Sequence, residues 1–459
     1  VKLSQLAALA AATVVATYGP LSLGAAQAPA VCVDCIKANM QALAGDELRG
    51  RGCGTADENA AATYVANTLK AARIAPGLPH GEYLQPVRLE TPTYAVAPTV
   101  TISAGSASVK LTLGAEMVAR DLPVALSAPV VVLDPANAVA AAVGGKAVIY
   151  DAPFDPQAIG KLIDHGAALV VSSAPDVYLQ HWTDLIRNAP GHAIVVGAPA
   201  PPAPTGGIVL VRPEVMASLR GLSDGEAQVE APFGPPRVRT TYNVVGLLHG
   251  KARDADRHAI LLTAHYDHLG VRDGVTFHGA NDDASGTSAV LEFARIFGAR
   301  PRHARTIYFG LMGCEEEGLL GAQYFFSHPP MALSDLVVNL EFEMIGVDDP
   351  ARPGALMLTG WERTDLGPAL AAHGAKVQPD GYPKEHFFQR SDNYQLALRG
   401  VVAQTVSAWP TPPTYHQPTD DLAHVDFDFM GRVIGSMIEP LDWLLDSDFQ
   451  PQWLPGQKP

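Results

Sequence analysis

Ala259-Ile260-Leu261-Leu262-Thr263-Ala264-His265-Tyr266-Asp267-His268 is an uninterrupted apolar or β-branched run that ends in two imidazoles around a carboxylate. A run this short, with no polar alternation, predicts a strand buried on both faces. The same figure returns along the chain. Strands are predicted over Asn243 to Leu248, Thr306 to Leu311, Leu336 to Glu341 and Val401 to Ser407. Helical spacing fits Ala284 to Phe297, where Val290, Phe293 and Phe297 share a face, and Asp428 to Leu445. Strand and helix in alternation after Thr241 predict an α/β fold, a mostly parallel sheet sandwiched by helices.

Open α/β sheets bind ligands beyond the carboxyl ends of their strands, and the polar residues of this chain concentrate there. The first strand delivers His265, Asp267 and His268, and the following helix opens with Asn281-Asp282-Asp283. Glu315-Glu316-Glu317 follow the next strand, Glu341 and Glu343 the one after, and a late loop brings Tyr415-His416. Each group alone reads as surface polarity or a helix cap. Their joint placement at successive strand ends points to a divalent metal, and zinc suits a mixed nitrogen and oxygen donor set.

Outward from this core, Ala61, Tyr64, Val65, Leu69 and Ala72 repeat at helical spacing between Asp57 and Arg73. Short β-branched runs broken by Gly and Pro then set off residues 112–235 as a smaller β-rich inserted domain. Its legible part is strand Gly145 to Tyr150, a helix around Ile159 to His165, and strand Gly166 to Val171. Pro199, Pro201, Pro202 and Pro204 stiffen a surface segment, and Pro232 to Pro236 read as the closing linker. The organisation expected is 1–30 as a signal peptide, 31–111 and 236–459 as two parts of one catalytic domain, and 112–235 as the insertion. Lys2, the apolar run Leu6 to Val15 and the small residues around Ala28 have the anatomy of an export signal, predicting a periplasmic or extracellular location. No later stretch is long and apolar enough to span a bilayer. Among the four cysteines, Cys32 and Cys35 are read as part of a structural bridge, with Cys53 one candidate partner, and Cys314 as a buried small residue.

The composition narrows the function. Lys plus Arg number 32 against 47 Asp plus Glu, so the net charge of −15 offers a polyanion nothing to bind, and nucleic acid is excluded as a partner. At 459 residues and 47% hydrophobic content the chain is too long for one small binding module and too apolar for disorder. No residue pattern specifies an oligomeric state.

The segments Thr263 to His268, Gly279 to Gly286, Glu315 to Gly321, Glu343 to Gly346 and Tyr415-His416 closely resemble the co-catalytic di-zinc aminopeptidase family that also contains aminopeptidase Y and glutamate carboxypeptidase II. The resemblance covers about Thr241 to Leu445, and the insertion resembles a protease-associated domain. It implies a zinc-exopeptidase fold, a peptide substrate and two Zn2+. It implies that His265, Asp282 and Glu343 hold one zinc and that Asp282, Glu316 and His416 hold the other. Asp267 would orient His265 as an outer carboxylate does, Glu315 would be the general base, and Tyr415 would stabilise the oxyanion. Many members have Asp where Glu343 stands and His where Asn393 stands.

Other readings compete. Gly221-Leu222-Ser223-Asp224-Gly225 fits a nucleophile elbow, but that turn needs a strand before it and a helix after it. Gly144-Gly145-Lys146 lacks the rest of a phosphate loop. A carboxypeptidase or dipeptidase, a glutaminyl-cyclase-like transferase and a catalytically silent zinc-containing receptor module share the fold. The silent module should have lost ligands or base, and the His265-x-Asp267 pattern favours two metals over the transferase's one.

Overall fold

The computed structural model describes residues 30–135, 142–180, 182–187, 191, 193–199 and 205–459. The expected export segment, apart from residue 30, and Pro201, Pro202 and Pro204 lie outside the described residues. No helix among the described residues is long and apolar enough to cross a membrane.

The first sheet is mixed. Strands Ile307–Met312, Ala259–His265, Leu336–Phe342 and Ala403–Ser407 lie side by side and parallel, and they form its centre. Arg237–Leu248 flanks them antiparallel on one side and Leu356–Leu358 on the other. The founding run is buried along its whole length, and its side chains part to opposite faces. Ile260, Leu262 and Ala264 pack in the core shared with helices Ala56–Ala71, Ser285–Gly298 and Phe427–Asp446. Ala259 and Leu261 pack on the other face with Phe325 and Phe326 of helix Leu320–Ser327. Each Leu or Ile buried this way contributes about 1.5–3 kcal/mol, which fixes the register of the strand and so the position of His265 at its end.

The second sheet has eight strands, in the order Ala107–Thr112, Thr99–Ala104, Glu226–Glu230, Ala125–Leu133, Ala147–Tyr150, Leu169–Ser173, Gly207–Val211 and Met117–Arg120. It begins at Thr99, ahead of residue 112, because the hairpin of its first two strands pairs with Glu226–Glu230. Ser223 follows helix Pro213–Leu219 and precedes strand Glu226–Glu230, the reverse of a nucleophile elbow. The whole unit sits between two neighbours of the first sheet, Leu84–Thr91 and Arg237–Leu248, which pair antiparallel with Thr91 opposite Arg237.

The cysteine expectations are corrected. Cys32 is bonded to Cys35 rather than to Cys53, because Cys32 caps helix Val33–Ala44 and a cysteine three residues on lies on the same face. Cys314 is not a lone thiol: it is bonded to Cys53 across a sequence separation of 261. That bond ties the loop before helix Ala56–Ala71 to the end of strand Ile307–Met312.

Replacing Cys53 and Cys314 together by Ala should lower the unfolding free energy by about 2–5 kcal/mol, as expected for a link closing a long loop. The Cys32/Cys35 pair, with a separation of 3, should cost much less when replaced. Urea unfolding of the two double variants checks this, and equal losses would contradict it.

Candidate metal centre

His265 closes its strand fully buried, and neither ring nitrogen has a hydrogen-bond partner. Its Nε2 lies 3.3 Å from Asp282 Oδ1, and 3.9 Å from both Glu315 Oε2 and Glu343 Oε1. The other oxygen of Asp282 faces a second imidazole, with His416 Nε2 at 3.2 Å from Oδ2 and at 3.1 Å from Glu316 Oε2. The structure therefore brings His265, Asp282 and Glu343 together, and Asp282, Glu316 and His416 beside them, with Asp282 common to both sets. A tetrahedral ion with bonds of about 2.0–2.1 Å sets its ligand atoms about 3.3 Å apart, and the imidazole–Asp282 and His416–Glu316 separations match. Buried atoms with no hydrogen-bond partner, among them Nε2 of His265 and Oδ1 of Asp282, are what a bound cation would satisfy. The residues present fit zinc.

Hydrogen bonds hold the ligand-bearing turns. Asp267 Oδ1 accepts the N–H of Glu315 at 2.9 Å and Oδ2 that of Glu316 at 3.3 Å, so this carboxylate fixes the loop after strand Ile307–Met312. Its distance to His265 Nδ1 is 3.6 Å, longer than a hydrogen bond. Asp283 Oδ1 accepts from Gly286 and Met344, while Ile345 donates to Ser285 Oγ and Gly346 to Asn281 Oδ1. The turn carrying Glu343 is thus stitched to the turn carrying Asp282. Cys314, Met344 and His416 adopt left-handed φ values of 53°, 53° and 55°, which cost a non-glycine residue about 1–2 kcal/mol each. For Cys314, the N–H held by Glu58 Oε1 offsets this, and for Met344 the bond to Asp283.

Three contributors were not singled out by sequence reasoning. Asp420, four residues after His416, accepts the N–H of Asn281 at 2.8 Å and of Asp282 at 3.0 Å. Its adjacency to the terminal histidine was the available signal. Asp283 was quoted only as part of a motif. So was His268, a fully buried imidazole with Nδ1 2.7 Å from Glu316 Oε1. His268, Asp282 and Glu316 also lie close enough together to hold an ion.

The electrostatics follow from crowding carboxylates in a buried site. Burial, helped by Glu316 and Glu343 and opposed by His265, holds the Glu315 pKa well above the usual carboxylate range. Glu343 is pushed up to about 7, by burial first, with His265 opposing and Asp282 adding to the rise. Burial opposes a charge on His416, yet the Asp282 and Glu316 carboxylates raise it to about 10. The site as it stands thus demands positive charge, which protons or metal ions can supply.

A cavity opens on these groups. Asp282, Glu315, Glu316, Glu343, Tyr415 and His416 line it, together with Met357, Phe387, Pro410, Thr359, Thr405 and Ser407. The Tyr415 ring stacks on His416 with centroids 3.9 Å apart, and its hydroxyl accepts from Arg390 Nη2 at 3.4 Å. Glu341, the neighbouring candidate to Glu343, does not line the cavity; its Oε2 accepts the N–H of Asn393 at 2.6 Å. Asn393 bonds Phe388 and Ala403 carbonyls and Thr405 Oγ1, so it serves the framework.

Residues 243–439 match the model of Peptidase family M28. Aminopeptidase YwaD of Bacillus subtilis is 32% identical over 220 residues, 44% of this chain and 45% of that protein. The probable lipoprotein aminopeptidase LpqL of Mycobacterium tuberculosis is 27% identical over 250 residues, 44% of this chain and 47% of that protein. A vacuolar membrane protease of Sclerotinia sclerotiorum is 26% identical over 196 residues, 42% of this chain and 17% of that protein. The chain spans less than half the length of these curated relatives. Among solved structures, an aminopeptidase from Aneurinibacillus sp. strain AM-1 covers 92% of this chain and 95% of its own at a TM-score of 0.61 and 18% identity. BSAP, a zinc aminopeptidase from Bacillus subtilis, covers 92% and 97% at 0.54 and 18%. At that identity the likeness is one of fold.

Asp420→Asn puts an amide N–H against a backbone N–H that the carboxylate accepts. Outer partners of metal ligands typically account for about 10–100-fold in affinity, so the variant should release zinc to a competing chelator at correspondingly lower chelator concentration. Unchanged zinc retention, with the urea midpoint as a control for folding, would show that the Asp282 turn holds without it.

Proposed function

We propose, from the premise that residues 243–439 of this chain belong to peptidase family M28, that the protein is an exported zinc-dependent aminopeptidase using two metal ions. The observation that carries the reading is Asp282, whose two oxygens face His265 and His416 separately at 3.3 and 3.2 Å. His265, Asp282 and Glu343 would hold one zinc, and Asp282, Glu316 and His416 the other. Zinc held there would supply Lewis acidity, acidifying a water and polarising a carbonyl.

The chain's own groups then divide the work. Glu315 accepts the proton of the attacking water and returns it to the departing amine. The Tyr415 hydroxyl, at the cavity wall, donates to the oxygen on which charge develops. Asp267 keeps Glu315 and Glu316 in place through their backbone N–H groups. A free α-ammonium group finds carboxylates in Glu315 and Glu343, which favours the amino end of a peptide over the carboxyl end. The second sheet, read as a protease-associated insertion, contributes no residue to the cavity described above and would shape access to it. Export rests on the Lys2 to Ala30 signal anatomy.

Matched peptides blocked at one end or the other test the reading directly. Hydrolysis of peptides blocked only at the carboxyl end is expected, and cleavage confined to peptides blocked at the amino end would replace the aminopeptidase by a carboxypeptidase.

Adjacent glutamates separate the roles. Glu315→Gln keeps size and metal and removes a proton acceptor, so turnover should fall by about 10²- to 10⁴-fold or more with zinc retained. Glu316→Gln should lower zinc content together with activity, partly restored by added zinc. Metal analysis and peptide hydrolysis on both variants decide the matter, and the opposite pattern would exchange the two assignments.

A further inference from the structure

Arg51 is fully buried, yet no carboxylate is within salt-bridge distance of its guanidinium among the ion pairs of the described residues. It spends its donors on main-chain carbonyls instead. Nε donates to Tyr266 O at 2.5 Å, Nη1 to Leu43 O at 2.6 Å and to His278 O at 2.7 Å, and Nη2 to Gly279 O at 2.9 Å. Tyr266 stands between His265 and Asp267, and Gly279 opens the turn that carries Asp282. The backbone around Arg51 reinforces the link: its carbonyl accepts the N–H of His268 at 3.3 Å, and the Gly50 carbonyl accepts that of Gly270 at 3.0 Å. Gly50 has φ 73°, and a Cβ there would lie 2.0 Å from Phe277 O, so only glycine lets this loop approach so closely.

A buried cation without a touching counter-ion is costly unless a field of negative charge compensates. Asp267, Asp420, Asp283 and Asp282 supply that field, and although burial lowers the Arg51 pKa to about 10, the side chain stays charged at neutral pH. A planar fork of donors reaching three chain segments is a task lysine cannot perform.

We propose that Arg51 is a positioning residue of the metal centre, a clamp that joins the His265 and Asp282 turns so that their donors meet one ion, without touching that ion or substrate. The inference rests on the reading of His265, Asp282 and Glu343 as a metal position. Its test is zinc affinity, measured by chelator competition on wild type and on Arg51→Lys, which keeps the charge and loses the fork. The dissociation constant of the variant should rise by about 10–100-fold, the range typical of outer partners of metal ligands, and the absorption spectrum of the cobalt(II) form should change. Wild type that binds no zinc overturns the functional reading and the clamp with it. Tight zinc binding by wild type with an unchanged constant and cobalt spectrum in a folded Arg51→Lys overturns the clamp alone. If Arg51→Lys does not fold, wild type suffices: chelating the metal should shift the NMR signals of the Arg51 Nε–H and the His268 and Gly270 amides. Signals that stay in place overturn the proposal.

Discussion

Asp282 has to serve two imidazoles at once. With one oxygen 3.3 Å from His265 Nε2 and the other 3.2 Å from His416 Nε2, the carboxylate has no rotational freedom left. A tilt that improves one contact spoils the other, so the precision must come from the backbone beneath it. Asp420 supplies it from below through the N–H groups of Asn281 and Asp282, and the Met344 to Gly346 turn supplies it from the side. The sheet in turn fixes those turns, since strands Ala259–His265 and Leu336–Phe342 lie parallel in register with Thr263 opposite Glu341. The centre is thus an outcome of the whole sheet rather than of one loop.

The same crowding sets the electrostatic character. Glu315, Glu343, Asp283 and Asp392 all have raised pKa values, with burial as the leading cause. Asp282 behaves oppositely: burial acts against its ionisation, but its contacts with His265 and His416 draw it well below the usual range. A site that raises most of its carboxyls while its imidazoles draw Asp282 and Glu316 down is built around positive charge between them. Asp392, with neither oxygen hydrogen-bonded, shows how far this goes beyond what protein donors satisfy.

The sequence made the strand ends legible because their runs are apolar on both faces and short, which leaves the polar residues conspicuous at the carboxyl side. Strands Leu356–Leu358 and Val377–Pro379 were missed, being too brief to carry a pattern. Nothing local in strand Thr99–Ala104 tells which sheet it joins. Arg51 and the Cys53–Cys314 bond were out of reach for a different reason. Arg51 meets Tyr266 across a separation of 215, and the two cysteines meet across 261, so their meaning exists only once distant segments are adjacent. Glu315 and Glu316 were legible as a pair from their motif, whereas the carboxylate that holds them, Asp267, was assigned to His265 and turns out to bond their backbone.

The second sheet closes on itself at a narrow neck. Tyr94 bridges Phe233 with rings stacked 5.5 Å apart, Ala95 N–H donates to Pro232 O, and Gly234 N–H donates to Thr93 O. Just beyond, Thr91 lies opposite Arg237 in the first sheet. Topologically, the two flanking strands form a β-hairpin whose turn is an entire folded unit. Loop closure grows only logarithmically with length, by about 0.6 kcal/mol for each doubling, and a unit that joins its own ends removes much of even that dependence. Strand Ile194–Val195, from beyond the neck, pairs antiparallel with Leu84–Thr91 and packs beside Val87 and Leu89, so the first sheet registers the neck and this added strand, and the eight-stranded sheet can vary in size and shape while the hairpin, and the ligand turns downstream of it, stay where they are.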